Sequence, residues 1–160
     1  MLIREAGRHE DEVVVQHYRA LWDSYGVAEE FIKPDAEQVV RDFIKAGRES
    51  YQMAAFIAEI DGQVVGSTAC QLHHVPYPAV TTPVFSKYGY IWHVFTEESA
   101  RRRGVATALV ERAVDYLRSI GCTKAVLHAS DAGEPVYERI GFKQAKEMRL
   151  DLRLGPDNNF

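Results

Sequence analysis

The stretch Arg101–Leu117, RRRGVATALVERAVDYL, decides how this chain is read: three arginines, one glycine and small residues open directly into an amphipathic helix. Leu109, Val110, Ala113, Val114 and Leu117 recur at three and four residues, as one face of a helix requires. At a helix start the first backbone N–H groups have no intrahelical acceptor, and the aligned peptide dipoles place partial positive charge at the same point. Anions, phosphate groups above all, bind there. Gly104 lets the backbone approach a phosphate with no Cβ in the way, and Ala106 intrudes by a single methyl. A Walker loop needs a second glycine and a Lys-Ser or Lys-Thr pair, and a dinucleotide fingerprint needs three glycines; neither set is here.

The flanks of this stretch set its context. Tyr90–Thr96 reads as a strand ending just before the arginines, and Ala125–Ala129 as a strand, buried on both faces, after the helix stops at Ser119, Gly121 and Cys122. Strand, helix, strand at this spacing implies a right-handed crossover and a parallel pair. Further upstream, Met53–Ile60 and Val64–Leu72 flank Asp61-Gly62, a pair suited to the positive φ angles of a type I′ hairpin turn. A short strand starts at Leu2. Helices are expected from the charged run Arg8–Glu12 to about Tyr25, with Val14, Tyr18, Leu21, Trp22 and Tyr25 inward, and from Asp35 to a stop at Gly47, with Val39, Val40, Phe43 and Ile44 inward. Between His73 and Gly89, Pro76, Pro78, Pro83 and Gly89 exclude regular structure, and a loop this long is a candidate substrate lid. A short helix from about Pro135 to Ile140 is closed by Gly141, and Met148–Leu154 alternates like a final edge or hairpin strand.

Bulk properties narrow the classes. The 160 residues fit one domain, residues 1–154, followed by a frayed tail, residues 155–160. Hydrophobic residues at 46% and charged residues at 26% match an ordinary globular composition, and disorder is not indicated. A formal net charge of -4 argues against a nucleic-acid partner held by bulk electrostatics, so Arg101–Arg103 stands out against an acidic background. No run is apolar enough for a membrane span and the N-terminus lacks a signal-peptide core, so a cytoplasmic location is expected. Cys70 and Cys122 belong to no zinc spacing, and adjacent His73 and His74 suit a loop; no metal is expected.

Two motifs in order carry a family resemblance. RRRGVA resembles the acetyl-CoA pyrophosphate loop of the GCN5-related N-acetyltransferases, and SDAGEPVYERIGF, Ser130–Phe142, resembles their second cofactor-side element, with Tyr137, Gly141 and Phe142 matching. EMRLDL, Glu147–Leu152, is similar to the last strand of a bacterial branch of the family. Glu98 stands where proline is common, Ser130 where asparagine is common, and Ala106 is an accepted variant of glycine. The implied fold is α/β, a mixed, mostly antiparallel sheet with a parallel pair formed by strands four and five, and acetyl-CoA in the V-shaped gap between them.

The resemblance implies acetyl transfer to a primary amine of a small molecule or peptide, directly in a ternary complex. Backbone N–H groups of Arg102, Arg103, Gly104, Val105, Ala106 and Thr107 would bind the pyrophosphate, with Arg101 in a structural role. Val94, Phe95 and Thr96 would offer unpaired strand groups to the pantetheine arm and the thioester oxygen. Tyr137, a phenol protonated at neutral pH, is the candidate general acid for the departing thiolate. Ser130 caps the short helix or touches the cofactor. The general base stays open among Glu97, Glu98 and His93. Trp22, Tyr25, Tyr77, Phe85, Tyr88 and Trp92 are candidate acceptor-pocket aromatics. A homodimer through the edge of the last strand is a further implication. A non-catalytic acyl-CoA-binding domain on the same fold is the alternative; it would keep the loop and not depend on Tyr137.

Overall fold

The computed structural model describes residues 1–150. The elements run β1 (Leu2–Glu5), α1 (Asp11–Ser24), α2 (Ala36–Ser50), β2 (Ala54–Ile60), β3 (Gln63–Leu72), β4 (Tyr88–Thr96), α3 (Val105–Ser119), β5 (Lys124–Val126) and α4 (Glu134–Ile140). The strands form one sheet in the order β1-β2-β3-β4-β5. Each neighbouring pair is antiparallel except β4 and β5, which run parallel, as the crossover through α3 demands.

Strand β2 shows why the sheet is covered on both sides. Ala54, Phe56 and Ala58 point to one face and pack with Val105, Leu109, Val110, Ala113 and Leu117 of α3, while Ala55 and Ile57 point to the other, toward Val14 and Val15 of α1 and Val40 and Ile44 of α2. Leu109 is completely buried, so Leu109→Ala would cost about 2–5 kcal/mol through lost transfer energy and the cavity left behind. The two N-terminal helices are tied together by Arg48, whose guanidinium donates to Asp11 Oδ1 at 2.5 Å, and by Arg41 donating to Glu12 Oε1 at 2.8 Å.

Several local expectations hold. Asp61 and Gly62 have φ of 52° and 78°, the two positive values of a type I′ turn. Gly141 closes α4 at φ 105°. Others change for identifiable reasons. Gly47 does not stop α2; the helix continues to Ser50, and a Cβ on Gly47 would sit 2.6 Å from Gln71 Oε1 and 2.9 Å from Met53 Sδ. Close packing requires that glycine. Gly89 is likewise inside β4, where a Cβ would collide with Leu117, so the irregular loop spans residues 73–87. Val39 and Phe43 of α2, Trp22 of α1 and Tyr25 just beyond it are exposed rather than buried.

Strand β5 is shorter than the expected Ala125–Ala129, and Lys124 is exposed with Ala125 and Val126 only half-buried. Among the described residues β5 is an edge strand of the sheet. Met148, Arg149 and Leu150 form no strand, and the side chains of Met148 and Leu150 are largely exposed. The rest of the expected final strand, Asp151–Leu154, and the tail lie outside the described residues.

Candidate active site

The pairing of β4 with β5 is brief: Tyr88 faces Lys124, Gly89 faces Ala125 and Tyr90 faces Val126, and there it ends. From Ile91 to Thr96 the β5-side edge of β4 therefore has no ladder partner in β5. Unpaired strand backbone is costly to bury and is ready to bind an extended ligand. Val94, Phe95 and Thr96 lie along this open edge, and Thr96 Oγ1 is buried without a hydrogen-bond partner.

Beyond Thr96 the chain turns through Glu97–Ala100 and the arginine run into α3. Arg101 Nε donates to Thr96 O at 3.3 Å, closing the loop onto the strand end. Arg102 at φ 61° and Gly104 at φ 80° both adopt left-handed conformations, and a Cβ on Gly104 would meet no atom within 4 Å. Space is open above the helix start. No side chain caps α3 and its first turn carries no acidic residue, whereas Asp11 and Glu12, Glu37, and Glu134 occupy the first turns of α1, α2 and α4. The other helices neutralise their positive ends with their own carboxylates; α3 leaves Val105, Ala106 and Thr107 N–H groups, with exposed Arg101, Arg102 and Arg103, for an external anion. Val105 itself is buried and anchors the turn.

Tyr137 stands on α4, packed against the core cluster that includes α3, with its ring edge-on to Phe142 at 6.1 Å. Burial, and then the nearby Tyr25, raise its pKa, so the phenol is held protonated more firmly than in water. Gly133 approaches that ring closely: a Cβ there would sit 2.9 Å from Tyr137 Cε2. Ser130 is not the N-cap residue, which is Gly133; its Oγ accepts from Gly133 N–H at 3.3 Å and so braces the turn before α4.

The base candidates are separated. Glu98 is exposed in the turn after β4, its carbonyl accepting from Arg101 N–H at 3.2 Å. Glu97 is also exposed, with Oε1 3.6 Å from His17 Nε2. His93 is 1% exposed, and burial followed by repulsion from His17 pushes its pKa down to about 3. It is neutral and sealed from solvent.

His93 belongs to a polar chain that periodicity does not reveal. In the β3–β4 ladder Ala69 faces His93 and Cys70 faces Ile91, leaving Trp92 as a bulge residue. Ile91 thus faces α3, while Trp92 and His93 both turn toward the N-terminal helices, where Trp92 meets Tyr18 of α1 at 5.3 Å and Phe43 of α2 at 5.3 Å. Ser67 Oγ lies 2.6 Å from His93 Nε2 and 2.8 Å from His17 Nδ1. One hydroxyl has one proton, so it donates to one imidazole and accepts from the other. Glu97 favours His17 as the Nε2–H tautomer, which makes His17 Nδ1 the acceptor and His93 Nε2–H the donor. Beside this network a groove of about 300 Å³ is lined by Tyr18, Trp22, Val27, Phe31, Ile32 and Val40. Of the other expected aromatics, Tyr77 and Phe85 are exposed in the 73–87 loop.

The described residues contain no group of three or more His, Cys, Asp or Glu able to hold a metal ion, and no helix long and apolar enough to cross a membrane.

A mixed sheet whose parallel pair ends early, with an uncapped helix start beyond the open strand edge, suits an extended ligand with an anionic head. The sequence profile of the acetyltransferase (GNAT) family matches residues 14–142, and the chain belongs to that family. Glucosamine 6-phosphate N-acetyltransferase of Trypanosoma brucei brucei is 31% identical over 102 residues, 61% of this chain and 63% of that protein. The chain thus spans just under two thirds of the length of that relative. A GCN5-related N-acetyltransferase from Ralstonia eutropha JMP134 superimposes with a TM-score of 0.79 at 24% identity, covering 95% of this chain and 98% of the other. A predicted acetyltransferase with acetyl-CoA from Clostridium acetobutylicum superimposes at 0.78 with 24% identity, covering 95% and 96%.

Proposed function

We propose that the chain is an acetyl-CoA-dependent N-acetyltransferase that moves an acetyl group to a primary amine of a small molecule or peptide, directly and in a ternary complex. The observation that carries this reading is the α3 start: uncapped, free of acidic residues, flanked by three arginines and continuous with the unpaired edge of β4. A diphosphate satisfies the orphan N–H groups of that turn, and an extended pantetheine arm satisfies the strand edge. Nothing in this chemistry requires a metal.

Each step then has a local agent. A backbone N–H along Val94–Thr96 polarises the thioester carbonyl as negative charge develops on its oxygen. The amine attacks, the tetrahedral species collapses, and Tyr137 O–H protonates the departing thiolate. Burial of the phenol suits a donor that must not ionise beforehand. Phe95, its ring 4.6 Å from that of His17 and tilted by 35°, keeps the strand end seated against α1. A homodimer through the C-terminal segment is part of the same reading and is checked by light scattering.

Incubating the protein with acetyl-CoA and a panel of amino sugars, polyamines, amino acids, aminoglycosides and peptides tests the reaction. Amine-dependent release of CoA thiol, with the acetylated amine seen by mass spectrometry, supports it. Tight acetyl-CoA binding with no transfer to any amine favours the non-catalytic binding domain.

A further inference from the structure

The closed end of the gap holds a second polar chain, distinct from the His93 network. Tyr90, the last β4 residue paired with β5, has its Oη 2.6 Å from His128 Nδ1; His128 Nε2 lies 3.1 Å from Glu147 Oε2. Arg149 Nε donates to Glu147 Oε1 at 2.7 Å and holds that carboxylate in place. Hydrogen bonds from Arg149 and His128 keep the Glu147 carboxyl below its ordinary pKa, so it is ionised and accepts from His128 Nε2–H. That fixes the tautomer. Nδ1 is left with a lone pair and accepts from the Tyr90 hydroxyl, whose own lone pairs are free for a donor.

We propose that Tyr90 is the catalytic residue that receives the proton of the acceptor ammonium, with His128 and Glu147 as positioning residues acting through it. This rests on the acetyltransferase reading. Glu97 and Glu98 stand at the diphosphate end of β4, about 20 Å along the strand from Tyr90, and His93 is sealed. A pantetheine arm anchored at Gly104 points its thioester toward the closed end. Tyr18 is near enough to both Tyr90 and Tyr25, and Tyr25 to Tyr137, to raise their pKa values.

The step balances without a further reagent. The ammonium N–H bond breaks as its proton passes to Tyr90 Oη; the Tyr90 O–H proton passes to His128 Nδ1; the amine keeps its electron pair and attacks the thioester. His128 becomes an imidazolium paired with Glu147, and both side chains are about half exposed, so the proton leaves to water. Tyr90 ends as it began. The groups facing this chain are Tyr18, His73, Glu147 and Arg149, with His73 stacked on the Tyr90 ring at 5.2 Å and His74 beside it. Burial and Tyr18 raise the Tyr90 pKa, which favours a relay over a standing phenolate.

Two measurements on the full chain separate this proposal from the reading beneath it. Nitrogen-15 shifts of His128 in the unliganded protein should report the Nε2–H tautomer, and in Tyr90→Phe the Nδ1 resonance should move as its hydrogen-bond donor is lost while Glu147 keeps the tautomer. An Nδ1 shift identical in wild type and Tyr90→Phe removes the hydrogen bond and overturns the proposal. For turnover, acetyl-CoA is paired with whichever panel amine is acetylated fastest. Tyr90→Phe and His128→Gln should lower kcat on the order of 100-fold near neutral pH, with acetyl-CoA affinity within about twofold of wild type. The deficit should close as pH approaches the amine's own pKa, because a free amine needs no relay. A deficit constant across pH assigns Tyr90 to packing and refutes the relay. Failure of the wild-type chain to bind acetyl-CoA refutes the acetyltransferase reading, and the relay with it.

Discussion

Acidification from about pH 7 to about pH 5.5 should destabilise this protein through its buried histidines. His93 has a folded pKa pushed down to about 3 against an ordinary 6.5, so between these values the unfolded chain binds a proton that the folded chain refuses. Stability therefore rises with pH across that window, is fully present above the unfolded value and is lost as pH falls below it. For one such group the loss between pH 7 and pH 5.5 is about 1.3 kcal/mol. His17, lowered by burial with Glu97 opposing, adds in the same direction. Carboxylates contribute little here: Glu10 and Glu12 are held at about 2 and lose their contribution only as pH falls below the ordinary 4.5. Urea unfolding at a series of pH values reads the slope, and nitrogen-15 shifts show directly whether His93 stays neutral at pH 5.5. A flat stability profile between pH 5.5 and 7, or a His93 that titrates near 6.5, would refute the buried Ser67-bridged pair. His93→Gln should flatten the slope in proportion.

Other substitutions address the site itself. Tyr137→Phe should preserve acetyl-CoA affinity and lower the chemical rate on the order of 100-fold; single-turnover kinetics check this, and an unchanged rate removes Tyr137 from the mechanism. Gly104→Glu places bulk, like charge and a strained positive φ beside the diphosphate, so affinity should fall about tenfold or more by calorimetry in a chain with native circular dichroism. Gly66→Ala puts a Cβ 2.7 Å from the Phe95 carbonyl oxygen, a backbone atom unable to swing aside, and should cost about 1–3 kcal/mol in thermal unfolding.

What could be read from the residues divides along physical lines. The hairpin at Asp61-Gly62, the α3 face and the loop at Gly104 are local signals, where residue type and backbone conformation are coupled within a few positions. Gly47 and Gly89 mislead for the complementary reason: their smallness answers to Met53, Gln71 and Leu117, which lie on other elements. The bulge at Trp92 defeats strict alternation and turns His93 into the sheet–helix layer. His17, Ser67 and His93 come from α1, β3 and β4, and Tyr90, His128 and Glu147 from β4 and two irregular segments, and no spacing in the chain announces either set. An isolated histidine on an apolar helix face, as at His17, is the only trace of the first.

The most direct test is calorimetry of the full chain with acetyl-CoA, run beside ATP as a second diphosphate-bearing nucleotide. Saturable one-to-one binding of acetyl-CoA, weakened by Gly104→Glu and not matched by ATP, is the expected result. No acetyl-CoA binding by the folded wild-type chain, or equal binding of ATP, would contradict the assignment of the α3 start and the β4 edge to an acyl-CoA.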